Sequence, residues 1–146
     1  MSNQDLTRRS RFRGKIIQGW QGEITGEALV TKSKVSFLGD VDMKTGMVVG
    51  KDIDIFGQNM TGRVLVFPES RGSTVGSNVL YGLAVGGHAP KLIITLRAEP
   101  VTISGAIFGS IPMVTEVSDE IFASLRTGDR VRSRVEGKEA LLEVIS

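Results

Sequence analysis

The sequence predicts a mixed α/β domain, a compact β/α unit with a barrel-like sheet. Three observations favour this class: β-like segments at both ends of the chain, alternation of strand and helix between them, and 18 glycines beside only 5% aromatic residues. Frequent glycine with few aromatics is typical of strands that bend and close. A chain of 146 residues can bury an ordinary core as one domain, without metal or disulfide support.

The first part of the chain predicts short strands separated by glycine-containing turns. Apolar positions and turn residues place these strands at 12–17, 23–31 and 34–38. The next stretch, GDVDMKTG at 39–46, resembles half of a calcium-binding loop. The glutamate that completes such a loop at its twelfth position is missing, whether the loop begins at Asp40 or at Asp42. We therefore expect no metal site in this loop.

The rest of the chain predicts alternating strands and helices, followed by a hairpin. After a strand that stops at Pro68, apolar residues at spacings of three to four predict an amphipathic helix from Val75 to the Gly86-Gly87 pair. Another helix is expected to begin after Ser118 and to run through Leu125. The remaining predicted elements are strands at 62–67, 91–96 and 111–114, a short helix at 103–108, and a terminal hairpin formed by 130–135 and 140–145.

The composition excludes several kinds of site. The chain has no cysteine, which excludes disulfides, a thiol nucleophile and an iron–sulfur cluster held by this chain alone. The chain has a single histidine, His88, which argues against a Ser-His-Asp triad. No stretch approaches the roughly 18–20 apolar residues of a membrane span, and no apolar segment of the kind found in secretory signals follows the basic N-terminus. We therefore expect a cytoplasmic protein.

The basic character of the protein belongs to its N-terminal arm. The first fifteen residues hold five basic side chains and one acidic side chain, a net charge of +4, whereas the remainder holds 13 basic and 15 acidic side chains. We interpret residues 1–11 as a flexible arm and residues 12–146 as a single domain. Such an arm could contact RNA or a phosphate. A solvated terminus is the simpler interpretation, because Phe12 is the only aromatic residue among the first fifteen.

The connection from the strand before Pro68 to the following helix is rich in small and hydroxyl residues. It reads FPESRGSTVGS at 67–77. Because a helix begins here, unpaired N–H groups and the macrodipole favour an anion such as phosphate or carboxylate. Glycines let a ligand approach the backbone closely, and Ser73 or Thr74 is suited to cap the helix. Capping alone would explain the hydroxyl residues equally well, so an anion site and a plain helix start remain alternatives.

A serine in this loop needs help to act as a base. With no histidine nearby, its hydroxyl stays protonated unless positive potential stabilises the alkoxide. The helix start and Arg71 supply part of that potential. A metal or a substrate cation from a partner would have to supply the rest.

Much of the chain resembles the small subunit of aconitase X, the swivel domain of an aconitase-like hydro-lyase. The similarity extends from about residue 12 to residue 144 and omits residues 1–10. Its blocks, in the order of the family, are GEALV (26–30), SFLGDVD and TG (within 36–46), GRVLVFP (62–68), GSTVGS (72–77), APKLII (89–94), RAEP (97–100) and GAIFGSIPMV (105–114).

This resemblance implies a two-chain enzyme. The large subunit is expected to hold an iron–sulfur cluster through its own cysteines, as a Lewis acid for the departing hydroxyl. The small subunit is expected to close over the site and to supply Ser73 as the proton acceptor. Arg71, Gly72 and Thr74 are implied as substrate-binding residues. Val75 stands where ordinary aconitases have an arginine that binds a carboxylate, which argues against citrate or isocitrate.

Two branches of the family differ in substrate. One resembles phosphomevalonate dehydratase, which converts 5-phosphomevalonate into its anhydro acid in archaeal-type isoprenoid synthesis, and the other resembles cis-3-hydroxy-L-proline dehydratase. The blocks STVGS and GSIPMV favour the first branch, and a phosphorylated substrate suits an anion site beside an arginine. A non-catalytic anion-binding module and a small RNA-binding barrel are the alternatives of other classes. Arg97 is predicted either to bind substrate or the partner, or to form a surface ion pair.

Overall fold

The computed structural model describes residues 10–72 and 75–145. The described strands are β1 (Arg11–Gln18), β2 (Glu23–Val30), β3 (Val64–Phe67), β4 (Leu92–Thr95), β5 (Met113–Thr115), β6 (Arg130–Glu136) and β7 (Glu139–Val144). The described helices are α1 (Phe37–Asp40), α2 (Gly76–Val85), α3 (Pro100–Phe108) and α4 (Ile121–Ser124).

The strands form one closed barrel in the order β1-β5-β4-β3-β2-β6-β7, with β7 pairing back to β1. Strands β2, β3, β4 and β5 are parallel neighbours, whereas β6, β7 and β1 close the barrel through antiparallel pairs. The predicted mixed α/β class with a barrel-like sheet is confirmed. The terminal hairpin is confirmed as β6 and β7.

Alternate residues of the strands serve two hydrophobic cores. The barrel interior takes at least one apolar side chain from every strand, such as Phe12, Val64, Val66 and Val131. The intervening residues of β3, Leu65 and Phe67, belong to the second core, which they share with the buried faces of α2 and α3. Successive side chains of a strand point to opposite faces. The parallel strands are therefore covered on both faces and are continuously apolar.

The prediction of a strand at 34–38 was wrong. Val35 forms only an isolated parallel bridge with Ser70, and the helical turn α1 follows at once. Ser36 caps this turn, because its Oγ accepts the N–H of Gly39 at 3.3 Å while the Oδ2 of Asp40 accepts the N–H of Ser36 at 2.8 Å. Such reciprocal bonds between side chain and backbone favour a helical turn over an extended strand.

The predicted helices differ from the observed ones mainly at their ends. The helix after Val75 is confirmed as α2. Helix α3 begins earlier than predicted, at Pro100, a residue that fits the first turn because it needs no N–H partner there. Helix α4 spans only Ile121–Ser124, because the residues before it form a turn in which the Oγ of Ser118 accepts the N–H of Glu120 at 3.3 Å.

Candidate active-site loop

The loop between β3 and α2 lies at the carboxyl edge of the parallel strands. Residues 31–36 leave β2 at this edge, the loop leaves β3, and residues 96–99 leave β4. Ligands of parallel sheets commonly bind outside the carboxyl ends of the strands, where such connections meet. The topology therefore brings three connections together around the predicted site.

Backbone hydrogen bonds hold the first half of the loop between its two neighbours. On one side, the N–H of Val35 donates to the carbonyl of Glu69 at 3.2 Å and the N–H of Arg71 donates to the carbonyl of Val35 at 2.9 Å. On the other side, the N–H groups of Leu96 and Arg97 donate to the carbonyl of Pro68 at 3.0 and 3.1 Å. The backbone is thus fixed up to Arg71.

Glu69 joins the same three connections through its side chain. Its Oε1 lies 2.9 Å from the Nζ of Lys34 and its Oε2 lies 3.0 Å from the Nη1 of Arg97. Hydrogen bonds from Lys34 and then from Arg97 lower the pKa of Glu69 below its ordinary value. Glu69 therefore stays ionised and neutralises part of the positive charge at this edge.

Of the two roles predicted for Arg97, the structure shows the surface ion pair. Its side chain is 70% exposed while it pairs with Glu69. A contact of Arg97 with substrate or with a partner stays a prediction.

Arg71 and Gly72 lead directly into the predicted catalytic residue. The guanidinium of Arg71 is exposed, and its Nη2 lies 3.7 Å from the Oδ2 of Asp40. Gly72 has a φ of +96°, and a Cβ at this position would lie 3.0 Å from the Oγ of Ser36. Only glycine adopts this backbone conformation without strain.

Ser73 and Thr74, predicted as the proton acceptor and as a substrate-binding residue, lie outside the described residues. Their neighbours on both sides are described. Val75 has helical angles (φ −62°, ψ −19°), and α2 begins at Gly76. The described chain therefore resumes directly before a ten-residue helix, and the macrodipole at a helix N-terminus favours negative charge.

The N-terminus of α3 lies beside that of α2. A Cβ at Gly76 would lie 3.1 Å from the Cγ1 of Val101, in the first turn of α3. Two helix starts and the exposed side chains of Arg71 and Arg97 thus share one edge of the molecule. This arrangement can attract an anion and lower the energy of a nearby alkoxide.

Comparison with known proteins identifies the family. The profile described as the aconitase X swivel domain matches residues 11–144. The chain belongs to the aconitase X swivel domain family. The swivel domain is also similar to a crystal structure of Thermococcus kodakaraensis aconitase X in its holo-form, with a TM-score of 0.84, 40% identity, and coverage of 94% of this chain and 100% of that one.

Named relatives of the swivel domain span nearly its whole length. The phosphomevalonate dehydratase small subunit of Pyrococcus horikoshii is 42% identical over 91% of each chain. The protein of the same name from Thermococcus gammatolerans is 43% identical over 92% of this chain and 98% of its own. The name of both relatives implies a larger partner subunit.

The swivel domain does not fit an iron–sulfur cluster. The chain contains no cysteine, and residues 10–72 and 75–145 contain no group of three or more His, Asp or Glu side chains that could hold a metal ion. A cluster in the assembled enzyme would therefore need ligands from another chain. Within the same described ranges, no helix is both long and apolar enough to cross a membrane.

Asp40 is the residue of this site that sequence reasoning missed. The sequence suggests Asp40 only as the first residue of an incomplete calcium loop, whereas the structure buries its carboxylate between Ser36 and Arg71. The sequence places an aspartate four residues after a serine, one position beyond the spacing of the usual capping box, so the reciprocal bonds between them were not predicted by the motif.

Proposed function

We propose that this chain is the small subunit of a phosphomevalonate dehydratase. The enzyme is a hydro-lyase that removes water from (R)-5-phosphomevalonate and forms trans-anhydromevalonate 5-phosphate in the mevalonate pathway. The observation that carries this proposal is the match, over nine-tenths of the chain, to small subunits of that name. No described feature favours the cis-3-hydroxy-L-proline branch over it.

The geometry of the loop supports a substrate with several negative charges. Exposed Arg71 offers N–H donors to a phosphate or carboxylate, and the dipoles of two adjacent helix starts favour such an anion. Val75 supplies no charge at the position where ordinary aconitases have an arginine, so Arg71 is the cation that we propose for substrate binding. Gly72 and Thr74 are the other substrate-binding residues that we propose, as the family resemblance implies.

Ser73 is the proposed proton acceptor. Its alkoxide would remove the proton next to the substrate carboxylate, and it requires positive potential because a serine hydroxyl is normally protonated. The start of α2 and the guanidinium of Arg71 supply that potential from this chain. The proton passes from the substrate carbon to the oxygen of Ser73, the electron pair of that C–H bond forms the new double bond, and the hydroxyl leaves the neighbouring carbon, where a Lewis acid of the partner would accept it.

The proposed partner is a large aconitase X-type subunit, and the pair forms the active enzyme. This partner would carry the iron–sulfur cluster, for which this chain has no cysteine ligands. Because the proposed substrate is a charged, water-soluble phosphate, we place the pair in the cytoplasm.

The test is an assay of the chain reconstituted with its large subunit, using 5-phosphomevalonate and cis-3-hydroxy-L-proline as substrates. The wild-type pair should dehydrate the first compound. Ser73→Ala should lower kcat by about 10²–10⁴-fold, the usual contribution of a general base. Ser70→Ala, a serine of the same loop, is the matched control and should stay within a few-fold of wild type.

Two results would contradict the proposal. A loss of only a few-fold in Ser73→Ala would assign this serine to helix capping. Dehydration of cis-3-hydroxy-L-proline without activity on 5-phosphomevalonate would move the chain to the other branch of the family.

A further inference from the structure

We infer that Asp40 is a positioning residue that holds the guanidinium of Arg71 at the rim of the loop, ready for an anionic group of the substrate. This inference rests on the proposed function, because it assigns Arg71 to substrate binding. It concerns a carboxylate that touches no substrate itself and acts through the arginine.

The backbone of Asp40 is fixed at the end of α1. Its N–H donates to the carbonyl of Ser36 at 2.7 Å, and its own carbonyl accepts the N–H groups of Val49 and Gly50 at 2.7 and 3.2 Å. A Cβ at Gly50 would overlap the Asp40 carboxylate, so the chain passes directly against it. The position of the carboxylate is therefore determined before any ligand binds.

The side chain of Asp40 is only 10% exposed, yet its charge has few described partners. Its Oδ2 accepts the N–H of Ser36 at 2.8 Å and lies 3.7 Å from the Nη2 of Arg71. Burying an ionised carboxylate is unfavourable unless hydrogen bonds and an opposite charge compensate. Arg71 is the cation that compensates here, so the two side chains constrain each other.

With respect to residues 10–72 and 75–145, Arg71 keeps most of its hydrogen-bonding capacity free for a ligand. The side chain is 56% exposed, and a guanidinium has five N–H donors. Its backbone is anchored to Val35. A long arginine side chain loses rotamer freedom when it binds a ligand, and the fixed carboxylate of Asp40 removes part of that freedom beforehand.

The same aspartate also supports the residue next to the predicted base. Asp40 accepts the N–H of Ser36, and the Oγ of Ser36 lies 3.0 Å from the point where a Cβ of Gly72 would be. Asp40 thus contacts Arg71 directly and Gly72 through Ser36, the two residues that precede Ser73. A substitution that removes its charge and keeps its shape separates the electrostatic role from the structural one.

The experiment is a double-mutant cycle in the reconstituted pair with Asp40→Asn, Arg71→Met and the double variant. Asparagine retains an oxygen that can accept the N–H of Ser36, so the fold should persist. We expect Asp40→Asn to raise KM about tenfold, with a smaller change in kcat, and to change kcat/KM less than about twofold once Arg71 is methionine. Asp42→Asn is the matched control and should match wild type.

A second measurement does not depend on activity. The order parameter of the Arg71 side-chain Nε–H, measured by NMR on the full chain, should fall in Asp40→Asn and not in Asp42→Asn. An unchanged order parameter overturns the inference. An equal loss of kcat/KM in both arginine backgrounds overturns it as well. If the wild-type pair is inactive on 5-phosphomevalonate, the proposed function fails, and the role of Asp40 in holding Arg71 is judged by the order parameter alone.

Discussion

At the scale of single residues, Gly72 meets two independent constraints. Its φ of +96° is unfavourable for any residue with a Cβ, and that Cβ would press on the Oγ of Ser36 at 3.0 Å. Gly57 has a similar φ of +86°, but a Cβ there would meet nothing within 4 Å. Comparing alanine variants at Gly72 and Gly57 therefore separates the cost of backbone strain from the cost of crowding by a Cβ.

We predict that Gly72→Ala destabilises the protein more than Gly57→Ala. Backbone strain should cost each variant about 1–2 kcal/mol, and crowding against Ser36 should add to this in Gly72→Ala. Because Gly72 precedes Ser73, its variant should also lose up to about a hundredfold in kcat/KM, as expected for a shift of the loop by about 1 Å. Urea unfolding and the dehydratase assay measure both effects. Equal activity of the two variants would contradict a role of Gly72 in placing the loop.

At the scale of elements, the contact between α2 and α3 depends on Gly105. A Cβ there would lie 2.7 Å from the Cβ of Leu80, an atom that cannot move unless the helix moves. Gly82 in α2 contrasts with it, because a Cβ there would meet the Sδ and Cγ of Met43, a flexible side chain that is 43% exposed.

We predict effects of opposite sign for the corresponding alanine variants. Gly105→Ala should lower the free energy of unfolding by about 1–3 kcal/mol, as overpacking does in a tight core. Gly82→Ala should raise it by up to about 0.5–1 kcal/mol, because alanine is the better helix former and Met43 can turn away. The urea concentrations at the unfolding midpoints of the two variants, compared with that of the wild-type chain, measure both effects. A stable Gly105→Ala protein would mean that the helices are not tightly packed.

Sequence reasoning succeeded for elements whose periodicity matches their burial. The apolar spacing of Val75, Val79, Leu80, Leu83 and Ala84 predicted α2, of which Val79, Leu80 and Leu83 are buried, whereas Val75 just before it is exposed. Alternation predicted the hairpin of β6 and β7. It failed at 34–38, where Val35 and Phe37 are buried on either side of Ser36 and so imitate strand alternation. The deciding bonds there join Ser36 to Gly39 and Asp40, and hydrophobic patterns do not report such bonds.

The site was predicted from local composition only in part. The Gly and Ser content of the loop left an anion site and a plain helix cap as alternatives, and the role that the resemblance assigned to Ser73 stays a prediction. The contribution of Asp40 depends on a contact between segments about thirty residues apart, which a single sequence does not reveal. The pairing of Glu69 with Lys34 and Arg97 was hidden for the same reason, because parallel strands bring their ends together only after folding.

At the scale of the whole molecule, Glu69 makes stability depend on pH. Its pKa in the folded protein is lowered by Lys34 and Arg97, so its contribution to stability is present above the ordinary glutamate pKa. That contribution is lost as the pH falls through the lowered value. At higher pH the carboxylate of Glu69 is ionised in the folded and in the unfolded protein, but only the folded protein brings it to Lys34 and Arg97.

We predict that Glu69→Gln lowers the melting temperature at pH 7 and that the difference from wild type shrinks at acidic pH. Protonation then removes from the wild type the same charge that the variant lacks. Melting curves of both proteins at a series of pH values measure the difference, and added salt should reduce it because the partners are exposed. A difference that stays constant into acid would show that Glu69 acts through packing rather than charge.

The ring of paired strands also limits how another chain can attach. Each described strand has a hydrogen-bonded neighbour on both sides over part of its length, although residues 11–14 of β1 and 23–27 of β2 pair on one side alone. The sheet therefore offers little room for an added strand. We expect a larger subunit to recognise mainly side chains and loop backbone, where shape and charge set the fit.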